Sequence, residues 1–292
     1  MQVKVAIFGC AGQLGLELRR EFTGRGHNVA GWDRSEVDIT SAAAVEAAIA
    51  RFDPQVVINA AAYNQVDVAE NEPAAAYQIN ALGVRNLALA CRQCGARLVH
   101  FSTDYVFDGT AGRPYTEQDA VHPLGAYAVS KLAGELYARA YLSNALVIRT
   151  SGVFGLGALK TARGNFIELM LRLAQEGKPI RVVEDHVGSP TYAPGLAART
   201  ADLVERSTTG VVHCGGGTPI SWYDFAALIF RTAGLAPNLR RTNDREYRTP
   251  ARRPKYTALE NARCAELGLA PMPALEASVA EYLRERTRLL GG

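Results

Sequence analysis

The sequence lacks any uninterrupted apolar run approaching the ~20 residues of a bilayer-spanning helix, so no membrane partner is expected. It lacks a charge imbalance: a net charge of +3 over 292 residues is too weak to imply a nucleic-acid partner. It lacks a disulfide framework. Cys10, Cys91, Cys94, Cys214 and Cys264 are an odd, dispersed set. Cys91 and Cys94 form a C-x-x-C, but no second ligand pair accompanies them for zinc. They also close a helical run from Asn86 to Cys94, stopped by Gly95, whereas reactive pairs favour helix N-termini. Both are expected as buried small apolar residues. The apolar part of Met1 to Phe8 is short and runs straight into a glycine turn, unlike a signal peptide, so the expected location is cytoplasmic. There is no internal repeat and no composition break of the kind that marks a flexible linker.

What is present is 48% apolar and 21% charged, ordinary for a soluble globular chain of a size that needs no staples. Strands are expected at Val3 to Phe8, Asn28 to Trp32, Val56 to Asn59, Arg97 to Ser102 and Ala145 to Arg149. Between them, helices are expected at Leu14 to Phe22, Ala42 to Arg51 (capped by Ser41 or Thr40), within Glu72 to Cys94, and at Tyr127 to Tyr141. Alternating strands and helices imply an α/β fold, a doubly wound parallel sheet of the Rossmann kind, over residues 1–150. After Arg149 the pattern changes to glycine-rich loops, a helix at Asn165 to Gln175, a short strand at Ile180 to Val183, and a helix opened by Ser221-Trp222-Tyr223-Asp224 and running through Phe230. Residues 151–292 are expected to form mainly a smaller substrate-binding lobe at the sheet's C-terminal edge, part of it returning to the sheet.

The first strand runs into Gly9-Cys10-Ala11-Gly12-Gln13-Leu14-Gly15, which opens the first helix. Glycines there permit a tight turn and let a pyrophosphate approach backbone N–H groups at a helix N-terminus. A glycine cluster alone is a weak signal, but the strand–turn–helix context is right for a dinucleotide. Asp33 sits just past the second strand, 18 residues after Gly15, where a carboxylate would bind ribose hydroxyls. Asp33 favours NADH by repelling a 2′-phosphate, whereas Arg34 can pair with that phosphate. The cofactor is therefore NADPH or NADH.

Tyr127 and Lys131 form Y-x-x-x-K, one turn apart on one helix face. A tyrosine ordinarily titrates near ~10; an adjacent ammonium stabilises its phenolate and suits it to proton transfer near neutrality. Alone, the pattern is a frequent chance match on solvated helices. Ser102 and Thr103, at the end of the fourth strand, sit at the sheet edge where ligands bind, and either hydroxyl can stabilise a carbonyl oxygen. Arg231 to Tyr256 holds eight Arg or Lys and two acids. Such a stretch suits a nucleoside diphosphate, with Arg253 the leading candidate, although a solvated basic loop looks the same.

These features resemble the extended short-chain dehydrogenase/reductases, and more narrowly the dTDP-4-dehydrorhamnose reductase family. The matching stretches are Gly12-Gln-Leu-Gly-Leu-Glu17, Asn59-Ala-Ala-Ala-Tyr-Asn-Gln-Val-Asp-Val-Ala-Glu70, Phe101-Ser-Thr-Asp-Tyr-Val-Phe107 and Tyr127-Ala-Val-Ser-Lys-Leu-Ala-Gly-Glu135. Gly164-Asn-Phe166, Gly188-Ser-Pro-Thr191 and Ala251-Arg-Arg-Pro-Lys-Tyr-Thr-Ala-Leu259 follow, so the match covers nearly the whole chain. The first four fit several sugar-nucleotide enzymes; the last is more specific to this group. The resemblance implies reduction of the C4 keto group of dTDP-4-dehydro-L-rhamnose to dTDP-L-rhamnose, a precursor of cell-surface polysaccharide. It implies Tyr127 as the acid, Lys131 holding the nicotinamide ribose, Thr103 on the developing alkoxide and Asp104 on the sugar. It also implies Gly12, Gln13, Leu14, Asp33, Asp38, Ile39, Ala61, Ala62 and Tyr63 along the cofactor.

The chain departs from the family pattern at two places. An aromatic residue usually follows the Thr-Ser that ends the fifth strand, and here Gly152 follows Thr150-Ser151, so a stacking wall for the sugar is missing at this position or supplied from elsewhere. Some relatives dimerise through a metal held by glutamates. Glu17 matches one ligand, but Pro194 stands where a second would be, so no metal is expected, and the chain is a monomer or homodimer. A reductase or epimerase of another nucleotide sugar shares the catalytic residues. A dehydratase is disfavoured because Tyr105 follows Thr103-Asp104. The chain also resembles the non-catalytic, NADP-binding regulatory subunit of methionine adenosyltransferase, which would have less need of an intact Thr103, Tyr127 and Lys131.

Overall fold

In the computed structural model, which describes residues 2–161 and 164–291, six strands form one parallel sheet. They are β1 (Lys4–Phe8), β2 (Asn28–Trp32), β3 (Val56–Asn59), β4 (Arg97–Thr103), β5 (Leu146–Thr150) and β6 (Gly210–His213), in the spatial order β6-β5-β4-β3-β1-β2. β3, β4 and β5 are buried nearly throughout, which is why they read as continuous apolar runs. Side chains alternate between faces. Val5 and Ile7 join Leu18, Phe22, Val56, Ile58 and Ile148 on one side; Ala6 and Phe8 join Ile49, Val57, Leu87, Leu98 and Val147 on the other. The strand order reverses between β1 and β3, so a crevice opens at their carboxyl ends.

The second half of the chain contributes to this sheet as well as to a cluster of its own. Helix Ala193–Glu205 lays Leu196, Ala197, Ala201 and Leu203 into the first core and leads into β6, which pairs with β5. Arg25, after helix Gln13–Gly24, pairs with Asp202 and Glu205 at 2.9 Å each. A third core, with Phe154, Ile167, Tyr192, Phe225, Ile229 and Tyr282, lies among helices Phe166–Gln175, Trp222–Thr232 and Leu275–Leu290. Strand Ile180–Val183 pairs with Leu239–Thr242 beside it. Among the described residues, no helix is long and apolar enough to cross a membrane.

The segment expected to hold one or two helices within Glu72 to Cys94 is more irregular. A short helix, Val66–Asn71, precedes it. Helix Pro73–Tyr77 then passes through a π-helical turn, Gln78–Gly83, into helix Val84–Cys94. The wide turn directs Asn80 inward, where its amide spans the Tyr63 backbone (2.8 and 2.9 Å) and donates to Ser130 Oγ (3.0 Å). Gly95, at φ +74°, closes the run. Cys91 is buried as expected, but Cys94 is exposed on the last turn. Both expected caps form: Ser41 accepts from the Ala44 N–H, and Ser221 from the Asp224 N–H.

Candidate active site

The carboxyl ends of the strands open onto one cleft of about 1480 Å³. Gly9, Gly12, Gln13, Leu14, Asp33, Arg34, Asp38, Ile39, Ala61 and Ala62 line one end. Gly9 has φ +79°, and a Cβ there would stand 2.6 Å from the Ala61 nitrogen. Only glycine lets the turn after β1 run this close to the chain leaving β3. Helix Gln13–Gly24 starts at Gly12 with no side-chain cap, leaving its first N–H groups to the cleft. Gln13 has a structural task too: its Oε1 accepts from the Gly155 N–H (3.1 Å) and from Asn165 Nδ2 (3.2 Å).

Asp33 accepts from the Ser35 hydroxyl (2.6 Å) and N–H (2.8 Å), which hold its carboxyl below the ordinary range and keep it ionised. Arg34 is exposed and lies 3.4 Å from Asp38, so carboxylates and a guanidinium stand together at this end of the cleft. Tyr63, expected beside them, does not line the cleft. Its backbone is held by Asn80, and its phenol donates to Glu72 at 3.1 Å.

Helix Ala126–Tyr141 packs against β4 and brings Tyr127 and Lys131 to the cleft wall. Lys131 is 3% exposed, and its Nζ donates to the Phe101 carbonyl at 2.6 Å. Burial pulls its ammonium down to about 8, against the opposing pull of Glu135, so it remains mostly protonated at neutral pH. Glu135 is itself fixed in a buried bidentate pair with Arg149 at 2.9 and 2.8 Å. The Tyr127 and Tyr105 rings meet edge-on at 6.3 Å. Thr103 also lines the cleft, but its hydroxyl is engaged, donating to Asp104 at 3.1 Å and accepting from the Tyr105 N–H at 3.1 Å. Ser102 lines the cleft too, and its hydroxyl is buried without a hydrogen-bond partner among the described residues. A buried hydroxyl left this way costs about 1–3 kcal/mol, which a ligand polar atom would recover. The crowded glycine turn, the uncapped helix, ionised Asp33 and the Ser102 hydroxyl together fit a dinucleotide.

Asp104 is buried, which raises its carboxyl to about 6 despite three hydroxyl donors: Thr257 (2.5 Å), Ser151 (2.8 Å) and Thr103 (3.1 Å). Ser151 and Thr257 were not singled out from the sequence. Ser151 carries a usable signal, since Thr150-Ser151 ends β5 as Ser102-Thr103 ends β4. Arg253 lines the cleft, but its guanidinium does not stand free for a phosphate. It grips Asp67 at 2.8 and 2.7 Å and donates to Thr249 at 2.6 Å. Lys255 bridges Asp185 and Asp244 at 3.1 and 3.2 Å. Gly152 has φ +50°, and a Cβ there would lie 3.2 Å from Cη2 of Trp222. An aromatic ring from a distant helix thus stands beside the position where the sequence has none.

The chain is similar to known proteins over nearly its whole length. Residues 3–288 match the RmlD substrate binding domain family. A dTDP-4-dehydrorhamnose reductase of Mycobacterium tuberculosis is 39% identical over 286 residues, covering 96% of this chain and 92% of that one. The spore coat polysaccharide biosynthesis protein SpsK of Bacillus subtilis is 37% identical over 284 residues, covering 97% and 98%. The crystal structure of dTDP-4-dehydrorhamnose reductase from Bacillus anthracis in complex with NADP superposes with a TM-score of 0.92 at 34% identity, covering 98% of this chain and 100% of that one. Matching these proteins over nearly its whole length, the chain belongs to the RmlD substrate binding domain family, that of the dTDP-4-dehydrorhamnose reductases.

Proposed function

We propose that the chain is an NAD(P)H-dependent oxidoreductase that reduces the C4 carbonyl of dTDP-4-dehydro-L-rhamnose to give dTDP-L-rhamnose. The observation that carries this reading is the buried Lys131 ammonium one helical turn from Tyr127, in the same cleft as the glycine turn. A nicotinamide held in the cleft would supply the hydride. Tyr127 donates the proton to the carbonyl oxygen, and Lys131, charged below about pH 8, stabilises the phenolate left behind. A hydroxyl of Thr103 or Ser102 supports the oxygen as it gains charge. Thr103 donates there only by releasing Asp104, whereas Ser102 has nothing to release.

Asp104, ionised above about pH 6, is aimed by Ser151 and Thr257 to accept from a sugar hydroxyl. Arg248 and Arg252 line the same cleft, with no acidic partner among the described residues, and suit the diphosphate. Arg253 contributes to that contact by exchanging Asp67 for a phosphate oxygen. The product would feed surface polysaccharide, in keeping with the spore coat relative.

The direct test follows loss of reduced-nicotinamide absorbance with dTDP-4-dehydro-L-rhamnose generated in situ, for NADPH and NADH separately. Sugar-dependent oxidation is the expected result. Tight cofactor binding without sugar-dependent turnover would overturn the proposal.

A further inference from the structure

We propose that Trp222 is a specificity-determining residue, forming a fixed apolar wall that reads the C6 methyl group of a 6-deoxy sugar in preference to a hydroxymethyl group. This rests on the nucleotide-sugar reading above and assigns a part of the cleft that reading leaves without a role.

The ring is fixed before any ligand arrives. Trp222 is the first residue of helix Trp222–Thr232, whose start is set by the Ser221 cap. Its N–H donates to the His186 carbonyl at 3.1 Å, anchoring the backbone. The indole packs against Phe166 at 4.8 Å and 61°, and against Phe225 at 6.0 Å and 55°. Phe166 and Phe225 are themselves stacked at 5.4 Å, so the indole is wedged into an aromatic cluster. A rigid ring of this kind gives up little conformational entropy when a ligand packs on it.

Its edge reaches the reacting end of the cleft. Cη2 lies beside Gly152, where an added Cβ would stand 3.2 Å from it, a tight contact, and where φ is +50°. The preceding residue, Ser151, donates to Asp104. The indole is therefore one residue removed from the hydrogen-bond network under the sugar. Glycine at position 152 makes room for that approach.

The chemistry of the wall is apolar. Trp222, Phe166, Leu169, Val153 and Val183 are half-buried and all line the cleft. A methyl group gains by covering such a surface, whereas a hydroxyl set against the carbon faces of these side chains gives up water for apolar contact. No described residue accepts a hydrogen bond from the indole N–H, which leaves it for a ring hydroxyl of the sugar. An apolar face with one polar edge is the surface that a deoxy-sugar ring complements.

The test compares dTDP-L-rhamnose with dTDP-L-mannose, which differ only by the C6 hydroxyl, and dTDP alone, by calorimetric titration of the full-length protein saturated with oxidised cofactor. The wild-type protein is expected to bind the deoxy compound about tenfold more tightly. Trp222→Ala should bring the two sugars to within about twofold while leaving dTDP affinity unchanged, and Trp222→Phe should retain part of the preference. Equal binding of the two sugars by the wild-type protein overturns the proposal without any mutant. A Trp222→Ala protein that keeps the preference, or that loses dTDP to the same degree, overturns it too. Failure of the wild-type protein to bind dTDP at all would instead refute the nucleotide-sugar reading itself.

Discussion

Replacing Lys131 with methionine separates what this side chain costs the fold from what it does in the cleft. Its ammonium titrates at about 8 instead of 10.5 because burial strips its water, with Glu135 only partly compensating. At about 1.4 kcal/mol per pH unit, this corresponds to roughly 3 kcal/mol carried by the folded chain at neutral pH. Methionine has similar length and no charge. It also gives up the hydrogen bond to Phe101, worth on the order of 1 kcal/mol, so the variant should be about 2 kcal/mol more stable at pH 7. Between pH 8 and 10.5 the unfolded wild-type chain keeps the lysine proton while the folded chain releases it, so wild-type stability rises with pH across that window. The advantage of the variant should therefore shrink and then reverse toward pH 10. Urea unfolding followed by circular dichroism at pH 7 and pH 10 reads this directly. Turnover of the same preparations should fall by at least ~10²-fold. A variant less stable than wild type at pH 7, or a stability difference indifferent to pH, would refute the idea that Lys131 is held charged in a poorly solvated site.

Tyr127→Phe should lower turnover by ~10²–10⁴-fold while cofactor affinity, read by fluorescence titration, stays nearly unchanged; near-normal turnover would reassign the acid. Thr257→Val removes the shortest of the three donors to Asp104 and should raise its carboxyl by about one further pH unit. Asp104 already titrates above its unfolded value, so stability falls as pH rises from about 4 to about 6, and in the variant that fall should continue to higher pH. A pH–stability profile identical to wild type would count against the network. Glu135→Gln strands the Arg149 guanidinium in the interior and should cost about 3–5 kcal/mol in chemical denaturation; a loss under about 1 kcal/mol would mean water reaches the pair.

The sheet was legible because β1, β3, β4 and β5 are apolar on both faces, a pattern few other structures produce. Tyr127 and Lys131 were legible because four-residue spacing is a local property of a helix. What escaped depends on distant partners. Nothing near Asn80 announces a π-helical turn, which answers to the Tyr63 backbone 17 positions earlier. Arg253 could be chosen by residue type, but its carboxylate partner lies 186 positions away in a helix that was itself not foreseen. Ser151 and Thr257 meet at Asp104 only because β5 and a loop of the second half converge there. Cys94 was misplaced because helical spacing gives direction, not depth.

The strand β6 has a consequence for any attempt to treat the first 150 residues as a separable module. Cut after Thr150, the chain would leave β5 with an open row of backbone donors and acceptors, inviting edge-to-edge association. The same cut would strip Leu196, Ala197, Ala201 and Leu203 from one face of the sheet. Grafting this dinucleotide half onto another sugar-recognising lobe would therefore mean carrying residues 193–213 along with it, as a splint that belongs by sequence to one half and by packing to the other.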